Sequence, residues 1–291
     1  MAPGVRDWGL VTLLEANRPT VVMPDGRRYL CHLRGRVKRD VGRIVVGDAV
    51  QIAPTDAGEA IILQVAPRRN QLLRPLVANL DGVFAVFSLN NPRGSLELLD
   101  KRLVLAHLIG CEAEIMLTKA DLSQDPDERR AVVKAYRQAG YRVWDISART
   151  GQGLDGWTAE ARSGVWVMTG ESGVGKSSVL QFILPDAGVA SAALSRGGRG
   201  QQTTRWVRLY RVAEFWLADT PGYTALTTTI EGPQQLLGAF REWEGIDCRY
   251  ADCQHRDEAG CGVIRAVAAG EVADWRHRHY RVMVDNWVRR H

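Results

Sequence analysis

The amino-acid sequence predicts three units in series: a small N-terminal β-barrel, a central α/β domain with a parallel sheet, and a compact, mostly helical C-terminal unit held by a metal. Three observations predict this. Before residue 67 the chain holds only short strand-like runs separated by turns. From about residue 82, apolar runs alternate with stretches of helical period, and one run leads into Gly170-Glu171-Ser172-Gly173-Val174-Gly175-Lys176-Ser177-Ser178. Near the end, Cys248, Cys253, His255 and Cys261 crowd into one short stretch.

A chain of 291 residues is long enough for two or three domains with real cores. An apolar fraction of 45% with 24% charged residues places it among globular proteins rather than disordered or membrane-spanning ones. No apolar run approaches the roughly 20 residues of a spanning helix. Met1 to Asp7 lacks the apolar core of a signal peptide, so a cytoplasmic protein is expected. The net charge of +5, carried mainly by arginine, suits a polyanionic partner.

Strand-like runs are predicted over Gly9–Leu14, Thr20–Met23, Arg28–Leu33, Ala49–Ala53 and Ala60–Val65. Pro24-Asp25-Gly26 and Asp56-Ala57-Gly58 supply turn chemistry between them. Five short strands in under seventy residues suggest a barrel of the oligonucleotide-binding (OB) type. Arg27, Arg28, Arg34, Arg36, Lys38, Arg39 and Arg43, opposed only by Asp40, make its loops basic, either a solvated face or a grip for an RNA backbone, and RNA binding is the expectation. Arg68-Arg69-Asn70 and Arg74-Pro75 form a basic joint. Then Gly82–Ser88 is continuously apolar, as in a strand buried on both faces. A helix follows from Leu96 to Ile109, a strand at Glu114–Leu117, a helix at Arg129–Gly140 and a strand at Tyr141–Ile146. That alternation argues for a parallel sheet.

The stretch Gly170–Ser178 fits G-x-x-x-x-G-K-[ST], between the apolar strand Gly164–Thr169 and a helix that begins near Lys176. The helix is expected to carry Val179, Leu180, Phe182 and Ile183 towards a core. Glycines let successive amides converge on phosphate oxygens. Lys176 would bridge the β- and γ-phosphates, and the Ser177 hydroxyl would bind Mg²⁺. Thr118-Lys119-Ala120-Asp121, at the end of a strand, matches [NT]-K-x-D. An Asp121 carboxylate accepts from guanine N1–H and the 2-amino group, a donor pair that adenine lacks. Ser147-Ala148-Arg149 fits S-A-[KR], whose Ala148 amide meets guanine O6. In the glycine- and arginine-rich segment Ser195–Thr204, a threonine would complete the Mg²⁺ shell. Asp219-Thr220-Pro221-Gly222 is a D-x-x-G element, with Asp219 facing Mg²⁺ through water and Gly222 reporting the γ-phosphate.

The base elements precede the phosphate loop, the reverse of the usual GTPase order. Joining the termini of such a domain and reopening it elsewhere leaves the same sheet, so a circularly permuted GTPase domain is expected. Further on, Cys248-x4-Cys253-x-His255-x5-Cys261 offers three thiolates and one imidazole, the ligand set of a closed structural Zn²⁺ site. Helices are expected at Val263–Ala269 and Trp275–Val288. Arg265, Arg276, His277, Arg278, His279, Arg281, Arg289 and Arg290 would form a basic face, either touching phosphates or solvated.

A barrel, a permuted GTPase and a Cys3His unit, in that order, resemble the small ribosomal subunit biogenesis GTPase family, RsgA. The resemblance covers essentially the whole chain. It includes Leu33-Arg34-Gly35-Arg36, Val46-Gly47-Asp48, Arg74-Pro75, Val77-Ala78-Asn79-Leu80-Asp81 and Cys253-Gln254-His255. It implies an OB barrel over 1–67, a permuted GTPase domain over 68–226 and a zinc-binding unit over 227–291. It also implies hydrolysis of GTP to GDP stimulated by the small (30S) ribosomal subunit, late in that subunit's maturation. The barrel and the zinc unit would contact 16S rRNA, with the protein acting as a monomer and without membrane contact. Two positions depart from what GTPases carry. Gln202, in Gln201-Gln202-Thr203-Thr204, stands where the family usually has the histidine that assists hydrolysis. Glutamine orients water but takes up no proton near neutral pH. Tyr223 stands where classical GTPases place a water-orienting glutamine, a replacement typical of this family, which predicts slow turnover without a partner. Thr204 aligns best as the Mg²⁺ threonine, with Thr203 the alternative. A GTP-regulated binder of another RNA is the competing reading, and a basic protein scaffold a third.

Overall fold

The computed structural model describes residues 8–15, 17–33, 43–55, 58–73, 75–185, 207–219 and 232–288. The N-terminal runs form β1 (Gly9–Glu15), β2 (Arg18–Val22), β3 (Arg28–Leu33), β4 (Ala49–Pro54) and β5 (Glu59–Val65). They pair in the order β1-β2-β3-β5-β4, and β1 pairs back onto β4 through Gly9↔Val50 and Leu10↔Ala49. The sheet therefore closes on itself as a five-stranded barrel. Period-two alternation sends Val11, Val21, Cys31, Val50, Ala60 and Ile62 inward as its core. Arg27 is tied to Asp25 in the β2–β3 turn, and Arg28 is exposed. Arg34, Arg36, Lys38, Arg39 and Asp40 lie outside the described residues.

The joint after the barrel is built from buried polar pairs. Asp48 is fully buried and accepts from the Val45 amide at 2.8 Å and from Arg68 Nε at 2.7 Å. Asn79, at φ +56°, donates to the Gly47 carbonyl and accepts from the Arg69 amide, both at 2.9 Å. Arg69 pairs with Asp81. The short strands β6 (Gln71–Leu73) and β7 (Leu76–Ala78) form a hairpin around Pro75. Arg68 and Arg69 thus act as clamps.

The central sheet follows as β8 (Leu80–Phe87), α1 (Leu96–Leu108), β9 (Glu112–Leu117), α2 (Pro126–Gln138), β10 (Arg142–Asp145), α3 (Leu154–Ala159), β11 (Gly164–Thr169), α4 (Lys176–Ile183), β12 (Arg208–Val212) and β13 (Phe215–Asp219). Its order is β10-β9-β8-β11-β13-β12, parallel except for β12. β11 lies between β8 and β13, in the middle of the sheet, although β8, β9 and β10 all precede it in the chain. β1 pairs with β12 at Leu13↔Arg208, which joins barrel and sheet edge to edge. β8 is buried on both faces, Val83, Ala85 and Phe87 in one apolar layer and Phe84 and Val86 in the other. The α2 helix starts at Pro126, earlier than Arg129, because the Asp125 carboxylate caps the amides of Asp127 and Glu128 at 3.0 and 2.9 Å.

The C-terminal unit holds α5 (Pro233–Gly238), α6 (Gly262–Ala268) and α7 (Asp274–Val288), with no strand among its described residues. Phe240 stacks on Trp243 at 4.6 Å, and Tyr280 stands edge-on to both. Two sequence expectations fail. Phe182 does not enter a core but is 44% exposed. Arg276 and His277 are buried, and neither lies on a basic outer face. Arg276 is held by Asp100 of α1 and by Glu242, so α7 docks against the sheet domain through an ion pair.

Candidate functional site

The carboxyl ends of the parallel strands open onto one edge of the sheet, where ligands of open α/β sheets bind. There β11 turns through Gly170–Gly175 into α4. Gly175 adopts φ +107° at the helix N-cap, and a Cβ on Gly170 would lie 2.4 Å from the Val86 carbonyl oxygen. Neither position accepts a side chain without moving backbone. Buried Val174 pins the loop into the apolar layer. Ser172, Gly173, Ser177 and Ser178 stay exposed along it. Lys176 Nζ curls back to the carbonyls of Gly170 at 2.6 Å and Glu171 at 2.8 Å. Burial lowers its pKa to about 8; the Arg102 charge adds to the fall and Glu171 opposes it. The Glu171 carboxylate accepts from the Ser95 amide at 2.9 Å, fixing the loop to the start of α1.

The segment after β9 is stitched directly to this loop. Thr118 Oγ1 lies 2.5 Å from the Val174 carbonyl and 3.0 Å from that of Phe87. Lys119, in left-handed backbone at φ +57°, stretches its ammonium to the carbonyls of Gly173, at 2.8 Å, and Asn91. The Ala120 amide donates to the Ile146 carbonyl at 3.1 Å, tying this segment to the one after β10. Asp121 Oδ1 accepts from the buried Ser147 hydroxyl at 2.6 Å, and Oδ2 pairs with Arg149 Nε at 2.9 Å. The Ser147 hydrogen bond, helped by the Arg149 charge, holds the Asp121 carboxyl below the usual carboxylate value. A cavity of about 430 Å³ lies between these segments, lined by Thr118, Lys119, Asp121, Ala148, Gly175 and Ser178.

Residues 118–121, 147–149 and 170–178 therefore meet at one site, as their motifs predict. It combines a glycine-rich loop and a lysine with a cavity that Asp121 lines. Of the remaining predicted residues, Asp219 ends β13 with its backbone alone described, and Gln202, Thr203, Thr204 and Gly222 lie outside the described residues. Sequence reasoning missed two contributors. The Asn91 carbonyl anchors Lys119, and the turn-rich Asn90-Asn91-Pro92 after a buried strand was the available signal. Glu171 belongs to the loop motif, but its contact with Ser95, 76 residues away, leaves no local signal.

A second centre lies in the C-terminal unit. The ligand atoms of Cys248, Cys253, His255 and Cys261 all fall within 4.8 Å of one another. His255 Nδ1 is 3.4 Å from the Cys248 sulfur and 3.5 Å from that of Cys261, and those two sulfurs are 4.0 Å apart. A tetrahedral zinc with usual bond lengths sets sulfur–nitrogen edges near 3.5 Å and sulfur–sulfur edges near 3.8 Å, so the donor set fits that ion. The Gly262 amide donates to the Cys248 sulfur at 3.2 Å, favouring a thiolate there. His277 Nε2 donates to the His255 carbonyl at 2.6 Å and supports the turn that carries the imidazole.

The RsgA GTPase family model matches residues 65–229, more than half of the chain. A Moorella thermoacetica protein named small ribosomal subunit biogenesis GTPase RsgA is 41% identical over 263 residues, covering 89% of this chain and 90% of its own. The chain belongs to the RsgA GTPase family. A Thermotoga maritima protein of the same name is 34% identical over 95% of both chains. The crystal structure of YjeQ from Thermotoga maritima superposes with a TM-score of 0.83 at 33% identity, covering 97% of this chain and 98% of its own. YloQ, described as a circularly permuted GTPase, gives 0.82 at 27% identity, covering 98% and 96%. As an RsgA GTPase the protein hydrolyses GTP, and the permuted order accounts for a phosphate strand that enters the sheet late. No described helix is long and apolar enough to cross a membrane.

Proposed function

We propose that the protein is a ribosome-stimulated GTPase of late small-subunit maturation. It would bind 16S rRNA in the cytoplasm through an OB barrel (1–67) and a helical zinc unit (227–291) flanking the permuted GTPase domain (68–226). One observation carries this reading. Relatives named for small-subunit biogenesis match 89–95% of the chain, well beyond residues 65–229 of the GTPase family model. The order of strands in the barrel, with β3 and β5 parallel and the rest antiparallel, supports the OB assignment.

In the nucleotide site, guanine would enter the cavity beside Asp121, whose lowered pKa keeps it an acceptor, with the Ala148 amide facing O6. Lys176 would leave the carbonyls of Gly170 and Glu171 for the β- and γ-phosphates of Mg–GTP, and Ser177, Thr204 and Asp219 would hold the magnesium that comes with the substrate. Gln202 would orient the attacking water, with Gly222 reading the γ-phosphate. Cys248, Cys253, His255 and Cys261 would hold one structural Zn²⁺. A groove where β1 and β2 meet β12 supports RNA binding. Arg28, Arg208 and Arg211 line it beside Tyr210 and Trp216, in two adjoining cavities of about 350 and 520 Å³. Guanidinium groups interleaved with aromatic rings suit phosphates and unstacked bases.

GTP hydrolysis measured with and without purified small subunits tests the proposal. A rise of at least about tenfold is expected, and no stimulation overturns it. Crosslinking sharpens the RNA half: a small-subunit rRNA footprint is expected, whereas a tRNA or mRNA footprint would move the protein to another RNA.

A further inference from the structure

Phe182 is the one large apolar side chain of α4 that leaves the core. Val179 and Leu180 are buried and Ile183 packs partly against the same layer, yet Phe182 stands 44% exposed. It sits one helical turn after Ser178, on the same helix face. Both residues line the cavity that Lys119 and Asp121 wall on other sides. The ring leans on the loop after Ala148: a Cβ built on Gly151, which has φ +81°, would lie 3.3 Å from the ring tip. An exposed phenylalanine in helical backbone buries little on folding and so adds little to stability by its exposed half. What it does offer is a flat aromatic surface on a cavity whose other lining residues, Leu122 and Lys119 among them, bring no ring.

We propose that Phe182 is a nucleotide-contacting residue, an aromatic wall against which the purine of the bound nucleotide packs. This rests on the assignment of the cavity to guanine. The chemistry divides the labour. Asp121 reads hydrogen-bond donors and so chooses among bases, whereas an aromatic ring contacts the π-face or edge that every purine presents. Phe182 therefore contributes affinity without guanine selectivity. It contributes nothing to a ligand that lacks a base.

The experiment is calorimetric titration of the full-length protein with GDP, with the xanthine nucleotide XDP, and with magnesium pyrophosphate as a base-free probe of the phosphate loop. The Phe182→Ala variant is expected to bind GDP about tenfold more weakly, within the range for loss of one aromatic–base contact. Pyrophosphate affinity is expected to be unchanged. In an Asp121→Asn background, adding Phe182→Ala should weaken XDP by the same factor. Phe182→Leu, which keeps an apolar wall without a ring, should fall between wild type and alanine. GDP affinity within twofold of wild type overturns the proposal. So does an equal loss for GDP and pyrophosphate, because the change would then act through α4 and the phosphate loop. Asp121→Asn alone separates the two assignments: unchanged guanine preference sinks the guanine cavity itself. A switch toward XDP combined with a silent Phe182→Ala sinks only the role of Phe182.

Discussion

In the central sheet, β8 buries every side chain from Val83 to Phe87, and parallel neighbours on both sides satisfy its backbone. Between Gly232 and Val288 no described residue is in a strand, and the longest helix is the 15-residue α7. The sheet domain draws its stability from two apolar layers and carries its site on loops at one edge. The C-terminal unit has one small core, shared with Val104 of α1, whose members include Cys253 and Cys261 of the candidate metal site. In the first region the site is carried by loops on the core; in the second the candidate metal residues are part of the core itself. The two meet at α1. Its start is bonded to the phosphate-loop residue Glu171, and its middle carries Asp100, which is fully buried against Arg276 of α7.

Removing the metal site should produce the largest effect. Structural zinc supplies about 10 kcal/mol or more of folding free energy in small domains. Cys253→Ser, or chelation of the wild type, should raise hydrogen exchange throughout residues 232–288 and leave β8, β9 and β11 protected. Equal protection loss in both regions would show that the sheet too depends on the metal. The next effect concerns the junction. Arg276→Met leaves Asp100 and Glu242 buried without their cation, a change that costs about 3–5 kcal/mol when a buried pair is broken. The thermal midpoint should fall by several degrees, and protease cleavage near residue 232 should appear before cleavage in the sheet. His279 Nδ1, 2.6 Å from Asp100, and the Tyr136 hydroxyl, at 2.8 Å, remain as donors, so the loss should stay below complete undocking. A variant as stable as wild type would mean the two regions touch without supporting each other.

The two regions also differ in how far their residues announced them. The sheet was legible because its signals are local: a continuous apolar run at Gly82–Ser88, a loop motif beside a strand, a four-residue base motif at a strand end. The Cys3His cluster was legible for the same reason, since its four ligands span one turn-rich stretch. The basic face expected on α7 keeps Arg278 and Arg281 but loses Arg276 and His277, and the loss was hidden because the partners of Arg276 are distant. Asp100 lies 176 residues earlier and Glu242 34 residues earlier, so Arg276-His277-Arg278-His279 reads locally as solvated charge. Phe182 was misplaced by a related limit. Helical period assigns residues to a face, but α4 is only 8 residues long and its neighbour on that side is the cavity. Asp48, Asn79 and Asp81 were visible only as family resemblance and Arg68 only as part of a basic joint, and the structure gives them a physical task in the clamp between barrel and sheet.

The smallest predicted effect separates the regions by pH. Lys176 titrates near 8 instead of its ordinary 10.5 because burial penalises its charge. Phosphate binding needs the ammonium, so above pH 8 each binding event must take up a proton, and GDP affinity should fall by up to about tenfold per pH unit. Stability moves the other way for this group. Its folded pKa lies below its unfolded value, so between about 8 and 10.5 the unfolded chain binds more protons and its contribution to stability rises with pH. In the C-terminal unit, metal binding requires deprotonated thiols and a neutral imidazole, so its loss belongs to the acid side, as pH falls toward about 5. Calorimetric titration of GDP in buffers of different ionisation enthalpy, beside zinc release followed with a chromogenic chelator, measures both limbs. Weaker nucleotide binding at pH 9 with zinc retained, and zinc release at pH 5 with the sheet intact, would confirm two independent centres. A nucleotide affinity that tracks zinc release on the acid side would instead show that the Asp100–Arg276 contact carries the state of one centre to the other.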